Sequence, residues 1–135
     1  MKLDSRLVDA AISFIRSRYP DEPWAGAAAM YTEDGIVLIS TAPSAVNPSV
    51  ELCHETGAIC EAHKTSKRIT ASVCVSRDPD GLFQILTPCG VCQERLMIWG
   101  GEVEAAVPQD EDSTKWHARK LSEIQPYYWR KPFMK

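Results

Sequence analysis

The sequence predicts an α/β protein in which helices cover both faces of a mixed five-stranded sheet, a three-layer α/β/α arrangement. Strand-like runs alternate with helical periodicities along the chain, and an Asp-Gly pair joins the first two runs as a hairpin turn. The chain has 135 residues, of which 44% are hydrophobic. That length supports one core but not two, so we expect residues 1–135 to form a single domain.

The first predicted element is a helix. Apolar residues recur at helical spacing between Leu7 and Ile15, the pair Asp4-Ser5 precedes them as cap candidates, and Pro20 follows. Because proline cannot continue a helix, we expect this helix to end just before it.

Five short apolar or β-branched runs predict the strands, and turn residues separate them. The runs are residues 26–31, 36–41, 69–75, 82–86 and 103–107. Asp34-Gly35 marks an antiparallel hairpin between the first two, and Asp-Pro-Asp-Gly at residues 78–81 marks a turn between the third and fourth.

Two further helices follow segments of loop composition. The first is predicted to begin near Glu51, after the Pro- and Ser-containing residues 42–50. The second has Pro88 at its start and ends at Gly100-Gly101. The remaining segments are predicted as an exposed acidic loop and a short last helix, at residues 109–113 and 119–124.

Charge and cysteine content restrict the classes of function. With 15 Lys and Arg against 18 Asp and Glu, the net charge is -3, and no basic stripe is present to bind a nucleic-acid backbone. No apolar run approaches the roughly 20 residues that a membrane span needs. Five cysteines, an odd number, suit a reducing compartment. We therefore expect a cytoplasmic protein that acts on a small molecule and binds neither nucleic acid nor membrane.

Two short motifs carry the predicted chemistry. The chain has C-H-E at residues 53–55 and P-C-G-V-C at residues 88–92. This C-x-E and P-C-x-x-C pattern is the one that zinc-dependent nucleobase deaminases use, with Cys where other members have His. The predicted ligands of Zn²⁺ are Cys53, Cys89 and Cys92.

Three protein ligands favour a catalytic zinc site over a structural one. A structural site is usually closed by four ligands, whereas three leave a position for water, whose pKa zinc lowers from about 15.7 to roughly 7. Glu55 has the register of the general acid/base, and one carboxylate can move the protons needed to replace a ring amine by water. Glu51 and Glu94 also neighbour predicted ligands, but we expect them to be solvated carboxylates.

Other interpretations of the cysteines are available. C-x-x-C alone is also typical of structural zinc sites and redox motifs, but a redox site leaves Cys53 and Glu55 unexplained. Cys60 lies about 10 Å along the helix from the first motif, too far to share its metal. Both Cys60 and Cys74 are expected to be small buried residues. His54 is an alternative ligand, although the motif register favours its neighbour.

At these residues the chain resembles the cytidine deaminase family, in particular its small three-Cys members and the blasticidin S deaminases. C-H-E-T-G-A is similar to the family's C-A-E-R-x-A, T-P-C-G-V-C to its S-P-C-G-x-C, and W-A-G-A-A to its F-x-V-G-A-A. The resemblance covers roughly residues 7–129. It implies a five-stranded sheet flanked by helices, one zinc per subunit, hydrolysis of a cytosine-type amine, and assembly as a homotetramer or homodimer.

The chain departs from the family in the segment that should hold the sugar. Family members often carry N-x-E-N ahead of the first zinc motif, whereas residues 42–51 here read A-P-S-A-V-N-P-S-V-E. Asn47, the only Asn in the chain, could bind substrate in place of the family's Asn, or it could simply form a turn.

A second departure concerns charge around the metal. Three thiolates carry more negative charge than one Zn²⁺ neutralises, and similar three-Cys enzymes place Arg where this chain has Thr56 and Gln93. Our hypothesis is that amides at the helix ends, together with Arg95 or His54, supply the compensation.

These observations predict a zinc-dependent hydrolase that deaminates free cytidine or deoxycytidine, with a role in pyrimidine salvage. An alternative substrate is a modified nucleoside or another aminated heterocycle such as blasticidin S, because the sugar-binding pattern is missing and the aromatic residues 127–129 resemble the end of blasticidin S deaminases. An alternative of another class is a non-catalytic binding module that zinc stabilises.

Overall fold

The computed structural model describes residues 1–134. The helices are α1 (Ser5–Arg18), α2 (Thr56–Lys64), α3 (Gly90–Leu96) and α4 (Leu121–Ile124). The strands are β1 (Gly26–Thr32), β2 (Val37–Ser40), β3 (Ile69–Arg77), β4 (Phe83–Leu86), β5 (Glu104–Pro108) and β6 (Trp116–Lys120). Short 3-10 turns occupy Pro48–Val50, Met97–Trp99 and Lys131–Phe133.

The strands form one mixed sheet in the order β2-β1-β3-β5-β6, and β4 also pairs with β3. β3 and β5 are parallel, while the other pairs are antiparallel. β3 is therefore central, and a crossover that includes α3 connects it to β5.

Alternation along β1 explains the layers. Ala27, Ala29 and Tyr31 belong to the apolar cluster that contains α1, whereas Ala28 and Met30 belong to the cluster that contains α2, α3 and α4. All five side chains are fully buried. A strand that is apolar on both faces is what a sheet covered by helices on both sides requires, so the predicted three-layer fold class is confirmed.

The start of α1 is fixed by Asp4. Its carboxylate accepts a hydrogen bond from the Leu7 N–H at 3.1 Å and another from the buried Tyr31 hydroxyl at 2.8 Å. Because a lost helix cap typically costs about 1 kcal/mol, this contact supports both the helix and its seat on the sheet.

The predicted number of strands is wrong, because the sheet has six. The sequence predicts Arg119 and Lys120 in the last helix, but they lie in β6, which pairs antiparallel with β5. Pairing in the tertiary structure decides the state of so short a segment, since strand preference depends strongly on neighbours. The remaining helix is one turn, begun by a hydrogen bond from the Lys120 N–H to Glu123 at 2.8 Å.

The predicted start of α2 near Glu51 is also wrong, because the helix begins at Thr56. The Thr56 N–H donates to the Cys53 carbonyl at 3.1 Å, closing a turn ahead of the helix. The Ser40 hydroxyl donates to the His54 carbonyl at 2.5 Å and ties this turn to β2. The first motif therefore lies on a turn anchored to the sheet.

Among residues 1–134, no helix has the length and apolar character needed to cross a membrane.

Candidate active site

Three cysteine sulfurs converge where α2 and α3 begin. Cys53 lies in the turn before α2, Cys89 is the N-cap residue of α3, and Cys92 lies in the first turn of α3. The three sulfurs lie within 4.8 Å of one another, and the Cys53 and Cys89 sulfurs are 3.4 Å apart. The structure thus brings together the three predicted ligands, although Cys53 and Cys89 are 36 positions apart in sequence.

The donor set fits zinc. A tetrahedral ion with Zn–S distances of about 2.3 Å needs sulfurs about 3.8 Å apart, which the observed spacing allows. Soft thiolates favour zinc over magnesium or calcium. In the described part of the chain no other set of three metal-ligating side chains is this close, and no fourth side chain joins this one. A tetrahedral ion held by these three sulfurs would have one position left for a ligand from outside the described residues.

The surroundings of the thiols differ. Burial raises the pKa of the Cys89 thiol, but the N–H groups of Cys92 and Val91 and the Cys53 thiol outweigh that effect, so this pKa is lowered. Burial, followed by the hydrogen bond to Cys89, raises the pKa of Cys53. Burial, followed by the charge of Glu55, raises the pKa of Cys92. A bound cation would lower the raised pKa of Cys53 and Cys92, because cysteine binds metal as the negatively charged thiolate.

Glu55 lies against this cluster and is only 4% exposed. Its negative charge contributes to the raised pKa of Cys53, Cys92 and Cys74, so the carboxylate is close to all three thiols. It is not part of the group of convergent ligand atoms. A buried carboxylate beside a metal site, but outside its ligand set, has the placement that a proton carrier needs.

Cys74 is a neighbour of the site that the sequence did not reveal. It lies on β3 and is buried, as predicted, and burial followed by the charge of Glu55 raises the pKa of its thiol. The same prediction is wrong for Cys60, whose side chain on α2 is exposed. Strand alternation could have found it, because Cys74 and Met30 belong to the same sheet face, toward α2.

Arg95 connects the two motif segments. Its Nη1 donates to the Thr56 hydroxyl at 3.0 Å and lies 3.9 Å from the Cys92 sulfur. This guanidinium is the positive group that the structure places beside a cysteine sulfur of the site.

The imidazole of His54 lies between the start of β1 and the residue that follows the end of β2 by two positions. Its Nδ1 accepts a hydrogen bond from the Ala42 N–H at 3.1 Å. A Cβ atom on Gly26 would lie 2.6 Å from its Nε2, so glycine at that position makes room for the imidazole. Burial lowers the pKa of His54. A lowered pKa favours the neutral form of the ring.

A cleft of about 390 Å³ opens beside the first motif. Glu51, Leu52 and His54 line it from the motif side, and Trp24 lines it from the loop ahead of β1. Trp24 is 66% exposed and has a φ of 65°, a left-handed conformation that is strained for a bulky residue. Such strain is concentrated at functional sites, and the cleft is the candidate substrate pocket.

Asn47 lies outside the lining of this cleft. Its side-chain oxygen accepts hydrogen bonds from the Ser49 N–H at 3.0 Å and the Ser49 hydroxyl at 2.8 Å. The carbonyl oxygen therefore caps the short 3-10 turn at Pro48–Val50, which leaves the amide nitrogen as the only group free for a ligand.

Comparison with known proteins identifies the family. No family model matches the chain. A cytidine deaminase of Bacillus anthracis, known from a crystal structure, is 44% identical, with a TM-score of 0.87 and coverage of 96% of this chain and 91% of that one. The chain belongs to the cytidine deaminase family. The family and fold predicted from the motifs are thereby confirmed.

Two further comparisons concern mycobacterial members of the family. A curated cytidine deaminase of Mycobacterium tuberculosis is 34% identical over 83 residues, which is 61% of this chain and 59% of that protein. The match thus spans less than two thirds of the relative's length. A crystal structure of cytidine deaminase from the same organism shares 23% identity and a TM-score of 0.68, which supports the fold alone.

Proposed function

We propose that this cytidine deaminase family member hydrolyses the exocyclic amine of a free cytosine nucleoside, converting cytidine or deoxycytidine to the uracil nucleoside and ammonia. The observation that carries the proposal is the convergence of three sulfurs within 4.8 Å next to a carboxylate that is only 4% exposed. The 44% identical Bacillus anthracis protein is named as a cytidine deaminase, which agrees with it.

Cys53, Cys89 and Cys92 are the proposed ligands of one Zn²⁺ per chain. When bound, zinc would supply a water acidic enough to act as a nucleophile at neutral pH. The three side chains fix where that ion would sit, between the starts of α2 and α3. Leu52 and His54, the sequence neighbours of Cys53, line the cleft, which supports this side as the approach for a bound ring.

Glu55 is the proposed catalytic acid and base. Water addition at the ring carbon releases one proton, which a ring nitrogen takes up. Conversion of the added hydroxyl to the carbonyl releases a second proton, which the departing amine takes up before it leaves as ammonia. A single carboxylate held close to the reacting atoms can make each of these transfers. Burial of Glu55 limits exchange of its proton with bulk water, which favours delivery to the substrate.

Charge compensation for the three thiolates is assigned to Arg95 and the N–H groups of α3. Arg95 lies 3.9 Å from the Cys92 sulfur, and the N–H groups of Val91 and Cys92 face Cys89. His54 is a poorer candidate because its Nδ1 accepts a hydrogen bond from the Ala42 N–H and burial lowers its pKa.

A modified cytosine nucleoside or another aminated heterocycle, such as blasticidin S, is the second candidate substrate. The cleft favours it, since Ala42, Pro43 and Ser44 line the wall ahead of the first motif and Asn47 lies outside it. Glu51 also lines the cleft, and within residues 1–134 its carboxylate has one weak contact, with the Ala45 N–H at 3.4 Å. A free carboxylate can accept sugar hydroxyls or bind a cationic substituent.

A non-catalytic zinc-stabilised module is the alternative of another class. The buried Glu55 argues against it, because a purely structural site gains nothing from an additional carboxylate next to three thiolates.

An ammonia-release screen separates these candidates. Purified protein is tested with cytidine, deoxycytidine, adenosine, guanosine, blasticidin S and other amino-heterocycles. We expect turnover of cytidine and deoxycytidine. Turnover of blasticidin S alone would change the assigned substrate but keep the assigned reaction. A zinc-loaded protein that releases ammonia from none of these compounds would support the non-catalytic binding module.

We further propose that residues 1–135 form one catalytic domain that assembles as a homotetramer, or a homodimer, in the cytoplasm and serves pyrimidine salvage. Several large apolar side chains are exposed around the site and the tail, which supports assembly. They are Leu52, Val91, Ile98, Trp129 and Phe133. The Trp129 Nε1 and Tyr128 hydroxyl both donate to Glu94, so the tail is held on α3. Light scattering of the purified protein measures the assembly.

A further inference from the structure

Arg95 forms a bridge between the helix that carries two of the cysteines and the helix that follows the third. Its Nη1 donates to the hydroxyl of Thr56, the first residue of α2, at 3.0 Å. The same nitrogen lies 3.9 Å from the Cys92 sulfur. Thr56 and Arg95 are 39 positions apart in sequence, so their contact exists only in the folded protein.

The charge of Arg95 is not neutralised by an ion pair within residues 1–134. The ion pairs in that range join Lys64 to Glu61, Lys67 to Asp34 and Lys120 to Glu102, and none includes Arg95. Both Arg95 and Thr56 are half-buried. A guanidinium that is partly shielded from water, with its charge left uncompensated in this way, can act on the sulfur beside it.

Holding an arginine in one place has a cost. A free arginine side chain loses rotamer entropy when it is fixed. The Thr56 hydroxyl offers an acceptor at the distance of a good hydrogen bond. Within residues 1–134, this hydroxyl and the Cys92 sulfur are the two polar side-chain groups that Arg95 contacts. Outer groups that orient or polarise ligands commonly change metal affinity by about 10- to 100-fold.

We propose that Thr56 is a positioning residue whose hydroxyl holds the Arg95 guanidinium beside Cys92, so that the two residues act as one unit that strengthens zinc binding by the three sulfurs. This inference rests on the proposed zinc site. It assigns a role to a threonine that touches neither metal nor substrate, and it makes the contribution of Arg95 depend on that threonine.

A merely structural role for Thr56 predicts something different. Thr56 begins α2, and its N–H closes the turn at Cys53. If this backbone contact were its whole contribution, removing its hydroxyl would leave zinc binding unchanged whether or not Arg95 is present. The coupling between the two side chains distinguishes the roles, because residues that act as a unit have non-additive effects.

The experiment measures zinc affinity by competition with a chromophoric chelator at fixed pH. The proteins are wild type, Thr56→Val, Thr56→Ser, Arg95→Ala and the Thr56→Val/Arg95→Ala double variant. We expect each single removal to weaken zinc binding about 10-fold and the double variant to be no weaker than Arg95→Ala. Thr56→Ser keeps the hydroxyl and should stay within about 2-fold of wild type.

Controls separate local from global effects. Arg119→Ala removes an exposed arginine of β6 whose hydrogen bond goes to the Ala118 carbonyl, and it should leave zinc affinity unchanged. The thiolate-to-metal charge-transfer band of the cobalt-substituted proteins checks that the number of sulfur ligands is the same in every variant. If Thr56→Val does not fold, Thr56→Ala takes its place in the cycle.

Two results would overturn the inference. One is a Thr56→Val protein with wild-type zinc affinity, and the other is a double variant whose loss is the product of the two single losses. A wild-type protein that binds no zinc would overturn the proposed function as well, so failure of the site and failure of the coupling are distinguishable.

Discussion

The cysteine cluster and the cleft beside it lie next to each other but are built differently. The cluster combines sulfurs within 4.8 Å of one another with a carboxylate that is 4% exposed, and its residues come from turns anchored to the sheet. The cleft is an open volume of about 390 Å³, lined by loop residues such as Trp24, Ser44 and Glu51.

Under the proposed function, the cluster carries the reaction and the cleft selects the substrate. Metal ligands and a proton carrier must be held within a fraction of an ångström, so they lie where packing fixes them. A loop-lined cleft can change its residues without disturbing that geometry. The chain keeps the family's zinc motifs yet departs from its sugar-binding pattern, as such a division of roles allows.

The largest effect is expected from removing a ligand. Cys92→Ser replaces a fully buried thiol of the cluster, and a hydroxyl is a poor substitute for a thiolate. We expect zinc to be lost and ammonia release from cytidine to become undetectable, as measured by metal analysis and a coupled assay. Cys60→Ser, at an exposed position of α2, is the matched control and should keep both. Full activity in Cys92→Ser would remove the cluster from the mechanism.

Removing the proton carrier should leave the metal in place. Glu55→Gln keeps the shape of the side chain but cannot carry a proton, and general acid–base catalysis typically contributes about 10²- to 10⁴-fold. We expect kcat to fall within that range while zinc content stays that of wild type.

Glu61→Gln, on the exposed side of α2 in an ion pair with Lys64, is the control for this change. An active Glu55→Gln protein would show that Glu55 is not the catalytic acid and base.

Changes in the cleft should alter binding more than turnover. Glu51→Gln removes a carboxylate that lines the cleft, and the loss of one charge-assisted hydrogen bond corresponds to a rise in KM of about 10-fold. We expect kcat to change far less, as steady-state kinetics can show. Glu102→Gln, whose carboxylate pairs with Lys120, should change neither constant. A fall in kcat with unchanged KM would indicate that Glu51 acts in the reaction rather than in substrate binding.

The smallest effect is expected at Asn47. Its carbonyl oxygen caps the turn at Pro48–Val50, so Asn47→Ala should lower the free energy of unfolding by about 0.5–1 kcal/mol. KM should stay unchanged. Asn47→Asp retains a capping oxygen and should restore stability. Thermal unfolding and kinetics on the same samples decide the point, because a raised KM with normal stability would assign Asn47 to the substrate.

The sequence predicts the cluster better than its surroundings. The spacing of Cys53, Cys89 and Cys92 is informative because motif residues near two helix starts can meet over a central strand. Asp34-Gly35 marks the first hairpin for a local reason, the positive φ of 80° at Gly35. Features set by local chemistry are therefore accessible from the order of the residues alone.

Features set by long-range contacts are not. β6 is stabilised by pairing with β5 rather than by its own residues. α2 begins at Thr56 because Ser40 holds the preceding turn. The contact between Thr56 and Arg95 joins positions with no pattern between them. Only the folded arrangement reveals such pairs.

The central claim is that three sulfurs hold one zinc and leave its fourth position free of protein. X-ray absorption at the zinc edge of the wild-type protein tests it directly. The account predicts three sulfur neighbours at about 2.3 Å and one lighter atom at about 2.0 Å. A shell of four sulfurs, or fewer than three, would contradict it.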